Sequence, residues 1–344
     1  MGTTFDAGCL ASPLASLPVQ RNTIHVSPSK ADPRRVGVLG GSGFVGAAVC
    51  NELISNGWTV SIISAPRLGT SAREVRGIIE ASGEHEATTA RLATSFEGLD
   101  AVVNAAGLAR PTGRNIQELS GANALLPRLV SEACRRAGVV RFVHISSAAV
   151  QGNLTTLDES TRYRAESPYA RTKALGEQAL LASWTSGTTV LRPTSVHGPD
   201  RTLTRSLVRF ASSPFACVLA PGEAPTPQVL AANVGAAVAY VCGAHAPPAI
   251  VLQPWEGWST SSFLQCLSNH RPFQVPNRAG QAIIRGTGLF SRAAPIVAHH
   301  RRLELLWRGQ AQSPGWLSSV GFSPPYGRTH WDRMIQAMTA VPGH

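Results

Sequence analysis

Tyr169 and Lys173 stand four residues apart, and the hydroxyl pair Ser146-Ser147 lies upstream of them. On a helix, positions i and i+4 share a face, so a phenol and an ammonium would sit one above the other. Ser167-Pro168 predicts where that helix starts, as an N-cap followed by a first-turn proline. A cation beside a phenol favours the phenolate and lowers its pKa. A free tyrosine titrates near about 10, so proton exchange near neutrality asks for roughly 4 kcal/mol of differential stabilisation. The chain has only two lysines, Lys30 and Lys173, and four tyrosines. Chance would place a Tyr-x-x-x-Lys with a probability of about 0.02. Nearly every other basic position is arginine, so a lysine at 173 points to a need for the smaller, tunable ammonium. The chemistry suggested is proton transfer at a carbinol or ketone oxygen, with a serine hydroxyl as a second hydrogen-bonding group.

Such residues need a scaffold that brings them together, and the upstream chain supplies one. Val36–Leu39 reads as a short buried strand, followed by the turn Gly40-Gly-Ser42-Gly43-Phe44-Val45-Gly46 and a helix to about Asn56. Glycines 41, 43 and 46 fit G-x-G-x-x-G, and 40, 43 and 46 fit G-x-x-G-x-x-G. Between a strand and a helix, such a turn lets a pyrophosphate approach backbone N–H groups at a helix N-terminus. Trp58–Ile63 is the next strand. An NAD-binding unit usually follows it with a carboxylate for the ribose hydroxyls; this chain has Ser64, Ala65, Pro66 and Arg67 instead. A missing carboxylate and a nearby arginine favour NADP over NAD. Ile78-Ile79 is read as a third strand, and about 86–96 as a helix. Ala101–Ala106 then ends in Ala105, Ala106 and Gly107, small residues on which a cofactor can lie flat. A helix over about 115–137 leads to the strand Val140–Ile145, which delivers Ser146-Ser147 at its carboxyl end. His144 within it reads as a core histidine. Alternating strands and helices predict an α/β fold with a doubly wound parallel sheet of the Rossmann type.

Composition narrows the class. Apolar content of 43% and charged content of 15% over 344 residues fit a globular enzyme. The net charge of +11 has no basic run or aromatic–basic interleaving behind it, which argues against nucleic acid. A nucleotide or phosphorylated ligand accounts for part of that charge. Six widely spaced cysteines form no C-x-x-C pair, so reduced thiols in a cytoplasmic protein are expected, with no disulfide frame and no metal site. No apolar stretch reaches membrane-spanning length. Residues 1–34 show no periodicity and read as a flexible tail.

These motifs, in this order, resemble a known family. Gly40-x-x-Gly43-x-x-Gly46, Asn104-Ala-Ala-Gly107, Ser146-Ser147-Ala-Ala-Val150-Gln-Gly152, Tyr169-Ala-Arg-Thr-Lys173 and Leu191-Arg-Pro-Thr-Ser-Val-His-Gly-Pro199 are similar to those of the extended short-chain dehydrogenases/reductases. This is the NAD(P)-dependent epimerase/dehydratase family of nucleotide-sugar enzymes, and the likeness runs over about 36–199. It implies Ser147 as the catalytic hydroxyl, Tyr169 as acid/base, and Lys173 as both tuner of the phenol and ribose ligand. It also places Pro193, Ser195 and Val196 at the nicotinamide end and turns Arg192 towards the substrate. The helices about 115–137 and 167–182 would form a homodimer surface. Three departures stand out: Gln151 replaces a frequent tyrosine, Ser82-Gly83-Glu84 lacks an aspartate expected after the third strand, and Gln228–Asn233 replaces a Val-x-Val-Asp-Asp/Asn stretch.

A Rossmann domain over 35–199 and a mainly substrate-binding region over 200–344 are expected, with 229–254 returning to the sheet. Residues 200–228 read as an irregular, substrate-covering segment. Val229–Cys242 reads as a helix and Ala249–Leu252 as a strand. Helical runs follow at about 277–290, 294–308 and 328–339. The leading expectation is 4-keto reduction or 4-epimerisation of a nucleotide sugar. A hydroxysteroid or other alcohol dehydrogenase is the alternative on the same scaffold. A non-catalytic NADP-binding sensor or assembly protein is the third reading, and the joint presence of Ser147, Tyr169 and Lys173 counts against it.

Overall fold

The structure, a computed structural model, describes residues 33–109, 116–183, 186–282, 305 and 307–340. Residues 1–32 of the expected tail and most of the helical runs 277–290 and 294–308 lie outside the described residues. The frame is a parallel sheet whose central strands are buried, with apolar residues at their middles. β1 (Arg35–Leu39), β3 (Ala101–Asn104), β4 (Arg141–Ile145) and β6 (Thr188–Arg192) are buried almost throughout, as parallel strands covered on both faces must be. With β2 (Thr59–Ile63) and β10 (Ile250–Leu252) they form one six-stranded sheet in the order β10-β6-β4-β3-β1-β2. Every pairing within it is parallel. Alternation along β1 sends Val36 and Val38 to one face and Leu39 to the other. The first face packs on α1 (Phe44–Ser55) and α8 (Ala231–Gly243) through Val49, Leu53, Val234 and Val238. The second packs on α3 (Glu86–Phe96), α5 (Leu126–Arg136) and α6 (Pro168–Ala182) through Leu92, Phe96, Leu126, Val130 and Leu180.

Ile78-Ile79 is not a strand. Residues Val75–Gly83 form the helix α2, and the sheet ends at β2. Val75, Ile78 and Ile79 recur at helical spacing, and Ile78 is fully buried among Ala124, Leu175 and Ala179. Ser82-Gly83-Glu84 is therefore a helix end rather than a strand end, so its lack of an aspartate carries no information about a cofactor. The same helix lies on α6, one of the two helices expected to form a homodimer surface.

The helix expected over 115–137 is broken. Ile116–Ser120 (α4) runs into a π-helical turn, Gly121–Leu125, before α5 continues. Residues 200–228 are also more regular than expected, with α7 (Thr202–Ala211), β8 (Cys217–Leu219) and β9 (Gln228–Leu230). β9 pairs with β7 (Ser195–His197), and β8 with β11 (Phe273–Val275). Together with α9 (Thr260–Ser268) and α10 (Arg328–Ala340), α7 encloses a smaller core of Val208, Val218, Phe263, Leu264 and Trp331. Trp258, Trp307 and Trp331 are buried packing residues.

Candidate active site

The glycine turn explains its own composition. Gly40 has φ +75°, and a Cβ there would lie 2.7 Å from the Ala106 nitrogen. A Cβ on Gly46 would lie 1.9 Å from the Gly40 carbonyl oxygen, so helix α1 can start this close to β1 only with glycine at 46. The Gly43 N–H closes the turn on the Gly40 carbonyl at 2.9 Å. Phe44, which follows, is 37% exposed at the start of α1. The turn thus holds a helix N-terminus beside Ala105 and Ala106 without side chains in between, a cradle whose shape fits a dinucleotide pyrophosphate. Ser64 follows Ile63, the β-sheet partner of Leu39, so the ends of β1 and β2 lie side by side. Ser64 and Arg67 are both exposed there.

Ser147 leaves the carboxyl end of β4 and caps a short 3₁₀ turn, Ala148–Gln151. Its Oγ accepts the Ala149 N–H at 3.2 Å. That bond occupies a lone pair and leaves the hydroxyl proton to be donated. The Tyr169 phenol lies within its influence, and the Ser147 hydroxyl favours the phenolate. Tyr169 sits in the first turn of α6, next to the Pro168 that follows the N-cap; Ser167 Oγ accepts the Ala170 N–H at 3.1 Å, as its sequence predicts. A phenolate at a helix N-terminus is favoured by the helix dipole. Burial works the other way and pushes the Tyr169 pKa above its ordinary value, with the Ser147 bond and the Arg201 cation opposing it. Arg201, which the sequence did not single out, is a cation acting on the phenol.

Lys173 is 4% exposed, and its Nζ donates to the Ile145 carbonyl at 3.0 Å. Burial lowers its pKa to about 8, against the favourable charge of Glu177. Gly107 makes room for it: a Cβ there would lie 3.0 Å from Lys173 Nζ and 2.9 Å from Asn123 Oδ1. Asn123, on the π-turn, was not singled out by the sequence. Its Nδ2 donates to the Leu108 carbonyl at 2.8 Å and to Thr172 Oγ1 at 3.0 Å, while its Oδ1 accepts the Leu108 N–H at 3.0 Å. One side chain thereby ties the end of β3 to the helix that carries Tyr169 and Lys173.

Arg201 is the second unanticipated residue. Its guanidinium lies 5.6 Å from the centre of the Phe44 ring and donates to the Val196 carbonyl. It therefore links the glycine turn, the segment after β6 and the phenol. Within that segment, the Pro193 carbonyl accepts the Ala148 N–H at 2.8 Å, which holds it beside Ser147. Ser195 Oγ lies 3.1 Å from His197 Nε2.

Arg192 does not face a substrate. Its side chain is fully buried, doubly bonded to the equally buried Glu177 (2.6 and 3.1 Å), and it also donates to the Ser160 carbonyl at 2.7 Å. A buried guanidinium needs such a partner, and Glu177 on α6 satisfies it. Gln151 likewise is structural: its amide clasps Asp158 through bonds of 2.6 and 2.9 Å. His144 is fully buried in β4 with Nδ1 3.3 Å from Asn104 Nδ2, and burial holds its pKa well below the ordinary value. Among the described residues no group of His, Cys, Asp or Glu is arranged to hold a metal ion.

The model of the NAD dependent epimerase/dehydratase family matches residues 36–223, more than half of the chain. The chain belongs to that family. Among curated relatives, a farnesyl-dihydroquinoline-oxide ketoreductase of Stigmatella aurantiaca is 32% identical over 179 residues, 49% of this chain and 52% of the relative. A decarboxylating sterol-4-alpha-carboxylate 3-dehydrogenase of Dictyostelium discoideum is 29% identical over 44% of this chain and 49% of its own. The chain spans about half the length of the curated relatives it matches. In fold, the member resembles the UDP-glucuronic acid 4-epimerase of Bacillus cereus in complex with NAD. The TM-score is 0.61 at 15% identity, covering 90% of this chain and 97% of the other.

Proposed function

We propose that this chain moves hydride between a nicotinamide cofactor and a carbinol or ketone carbon on an apolar substrate. The observation that supports the chemistry is the placement of Tyr169 and the buried Lys173 on one helix, with Lys173 beneath Gly107 and Ser147 at the carboxyl end of β4 acting on the phenol. A nicotinamide bound along this wall supplies or takes up hydride. Gly40, Ser42, Gly43, Phe44, Val45 and Gly46 would hold its pyrophosphate, and Ala105, Ala106, Gly107, Lys173, Pro193, Ser195 and Val196 its nicotinamide half. Tyr169 gives its proton to the ketone oxygen in reduction and takes it back in oxidation. Ser147 donates a hydrogen bond to the same oxygen, and Lys173 and Arg201 supply the positive charge that favours the phenolate. NADP is the preferred cofactor, because the stretch from Ser64 to Arg73 holds two arginines and no carboxylate.

The curated relatives support an apolar substrate class. The two named above act, by name, on a ketone of a farnesylated ring and a carbinol of a sterol carboxylate. A nucleotide sugar, the leading expectation from sequence, is the second reading; likeness of fold supports it, and one fold serves both chemistries. The deciding experiment offers the purified protein NADPH or NADH with 3-ketosteroids and long-chain 3-oxo acids on one side, and UDP- and dTDP-hexoses on the other. Cofactor consumption with the apolar ketones, lost in Tyr169→Phe, is the expected result. Turnover of sugars alone would transfer the assignment to the second reading.

A further inference from the structure

One face of the smaller lobe combines exposed aromatic rings with positive charge, and the proposed chemistry makes no use of it. Phe215 and Phe273 are 79% and 68% exposed, among the most exposed large apolar side chains described. They are neighbours: the Phe273 N–H donates to the Ala216 carbonyl at 2.8 Å, and Phe273 stands opposite Cys217 in the β8–β11 pair. Alternation in the arm leading to β11 exposes Arg271 and Phe273 and buries Pro272 between them. Arg209 is exposed in the last turn of α7, and the Phe210–Ser213 and Ser213–Ala216 turns bring the chain from that helix to Phe215. The two segments that build this face, 202–222 and 257–282, contain Arg205, Arg209, Arg271 and Arg278 and no aspartate or glutamate, the nearest carboxylates being Glu223 and Glu256 at their margins. Arg205 is paired with Asp200 at the far end of α7, outside both segments.

We propose that this face docks on an anionic lipid bilayer, with Phe215 and Phe273 entering the headgroup region and Arg209 and Arg271 meeting its negative charge. Charge complementarity selects this occupant. Folded proteins rarely leave adjacent phenylalanines in water without a partner. A protein partner would be expected to meet them with an apolar socket, whereas here arginines flank them with no carboxylate on either segment. Aromatic rings beside basic side chains are the combination that anionic membrane surfaces bind, and each arginine near such a surface contributes about fivefold in partition. The inference does not depend on the reaction proposed above. It does account for part of the +11 charge, and it would bring the lobe next to the phase in which apolar substrates are dissolved.

The test is sedimentation of the full chain with vesicles of phosphatidylcholine alone or with added phosphatidylglycerol, at low and high salt. Binding to the phosphatidylglycerol vesicles only, weakened by salt, is expected. The double variant Phe215→Ser/Phe273→Ser should lower that partition about tenfold or more. Arg209→Gln and Arg271→Gln should each lower it about fivefold. Because all four side chains are exposed, the variants should keep the wild-type thermal melt, which circular dichroism verifies. Absence of binding to anionic vesicles would overturn the proposal. So would binding that the double variant leaves intact, which would place the lipid contact elsewhere. A change from dimer to monomer in the double variant, without vesicle binding, would overturn it by assigning the face to a second copy.

Discussion

Burial raises the pKa of the Tyr169 phenol, and that shapes the pH dependence of each direction of the reaction. Its raised pKa means ketone reduction, which needs the phenol, should run at a flat rate from neutral pH until the pH approaches that pKa. Alcohol oxidation, which needs the phenolate, should climb with pH over the same alkaline range. Tyr169→Phe should cost about 10³-fold in turnover in both directions. Arg201→Gln removes a cation that lowers the phenol, so the oxidation limb should move to higher pH. An unchanged pH–rate profile in that variant would show that Arg201 does not act on the phenol. Lys173 gives a second, cofactor-free readout. Its ammonium loses its proton near pH 8 in the folded chain and only near about 10.4 when unfolded. Between these values the unfolded state binds the extra proton, so stability rises with pH by up to about 3 kcal/mol; below them the full burial cost remains. Urea midpoints of wild type and Lys173→Met, compared across this range, should converge or cross as pH rises. A constant gap would show that Lys173 titrates normally. The helix that carries Tyr169 and Lys173, and the strand that ends before Ser147, were legible in the sequence through residue type and spacing. Arg201 was not: its place depends on the segment before α7, Gly198 to Arg201, returning to Phe44, which no spacing encodes.

At the scale of elements, the π-turn Gly121–Leu125 is what joins cofactor wall and catalytic helix. A π-turn inserts one residue into a helix and displaces its register, here carrying Asn123 inward. Two glycines permit the fit: a Cβ on Gly176 would lie 2.2 Å from the Asn123 carbonyl oxygen, and one on Gly121 2.0 Å from that of Leu68. Asn123→Ala would leave the Leu108 N–H and carbonyl unpaired, at a cost of about 1–3 kcal/mol in stability. It should also raise KM for the cofactor about tenfold while kcat falls less, because the strand end under the nicotinamide loosens. Equal losses in kcat and kcat/KM would instead place Asn123 in the chemical step. The periodicity of 115–137 gave a helix and hid the π-turn, since one inserted residue leaves the apolar pattern nearly intact. Ile78-Ile79 failed differently: a short apolar pair fits strand and helix alike, and only Val75 at helical spacing separates them. Arg192 failed because its partner Glu177 lies on another element, and pairing across elements is invisible to local pattern.

For the whole molecule, the consequence of α2 being a helix is that it covers the face of α6 on which a homodimer was expected. Ile78 and Ala179 are fully buried and Leu175 is 8% exposed within a single chain. Along α6, Ala170 and the run from Thr172 to Glu177 are buried as well. An isologous dimer needs the same patch open on both copies, and a stable one buries about 800 Å² on each. Filling that patch with α2 leaves no matching apolar surface along α6. The chain should therefore scatter light as a monomer of 36.3 kDa at micromolar concentration. A value of twice that mass, unaffected by substitutions at Phe215 and Phe273, would show that the helices pair despite α2. Ile78→Ala should cost about 2–5 kcal/mol, the range for emptying a closed aliphatic site, because Ala124, Leu175 and Ala179 close around it. Were α2 only loosely laid on α6, the site would collapse and the urea midpoint would barely move.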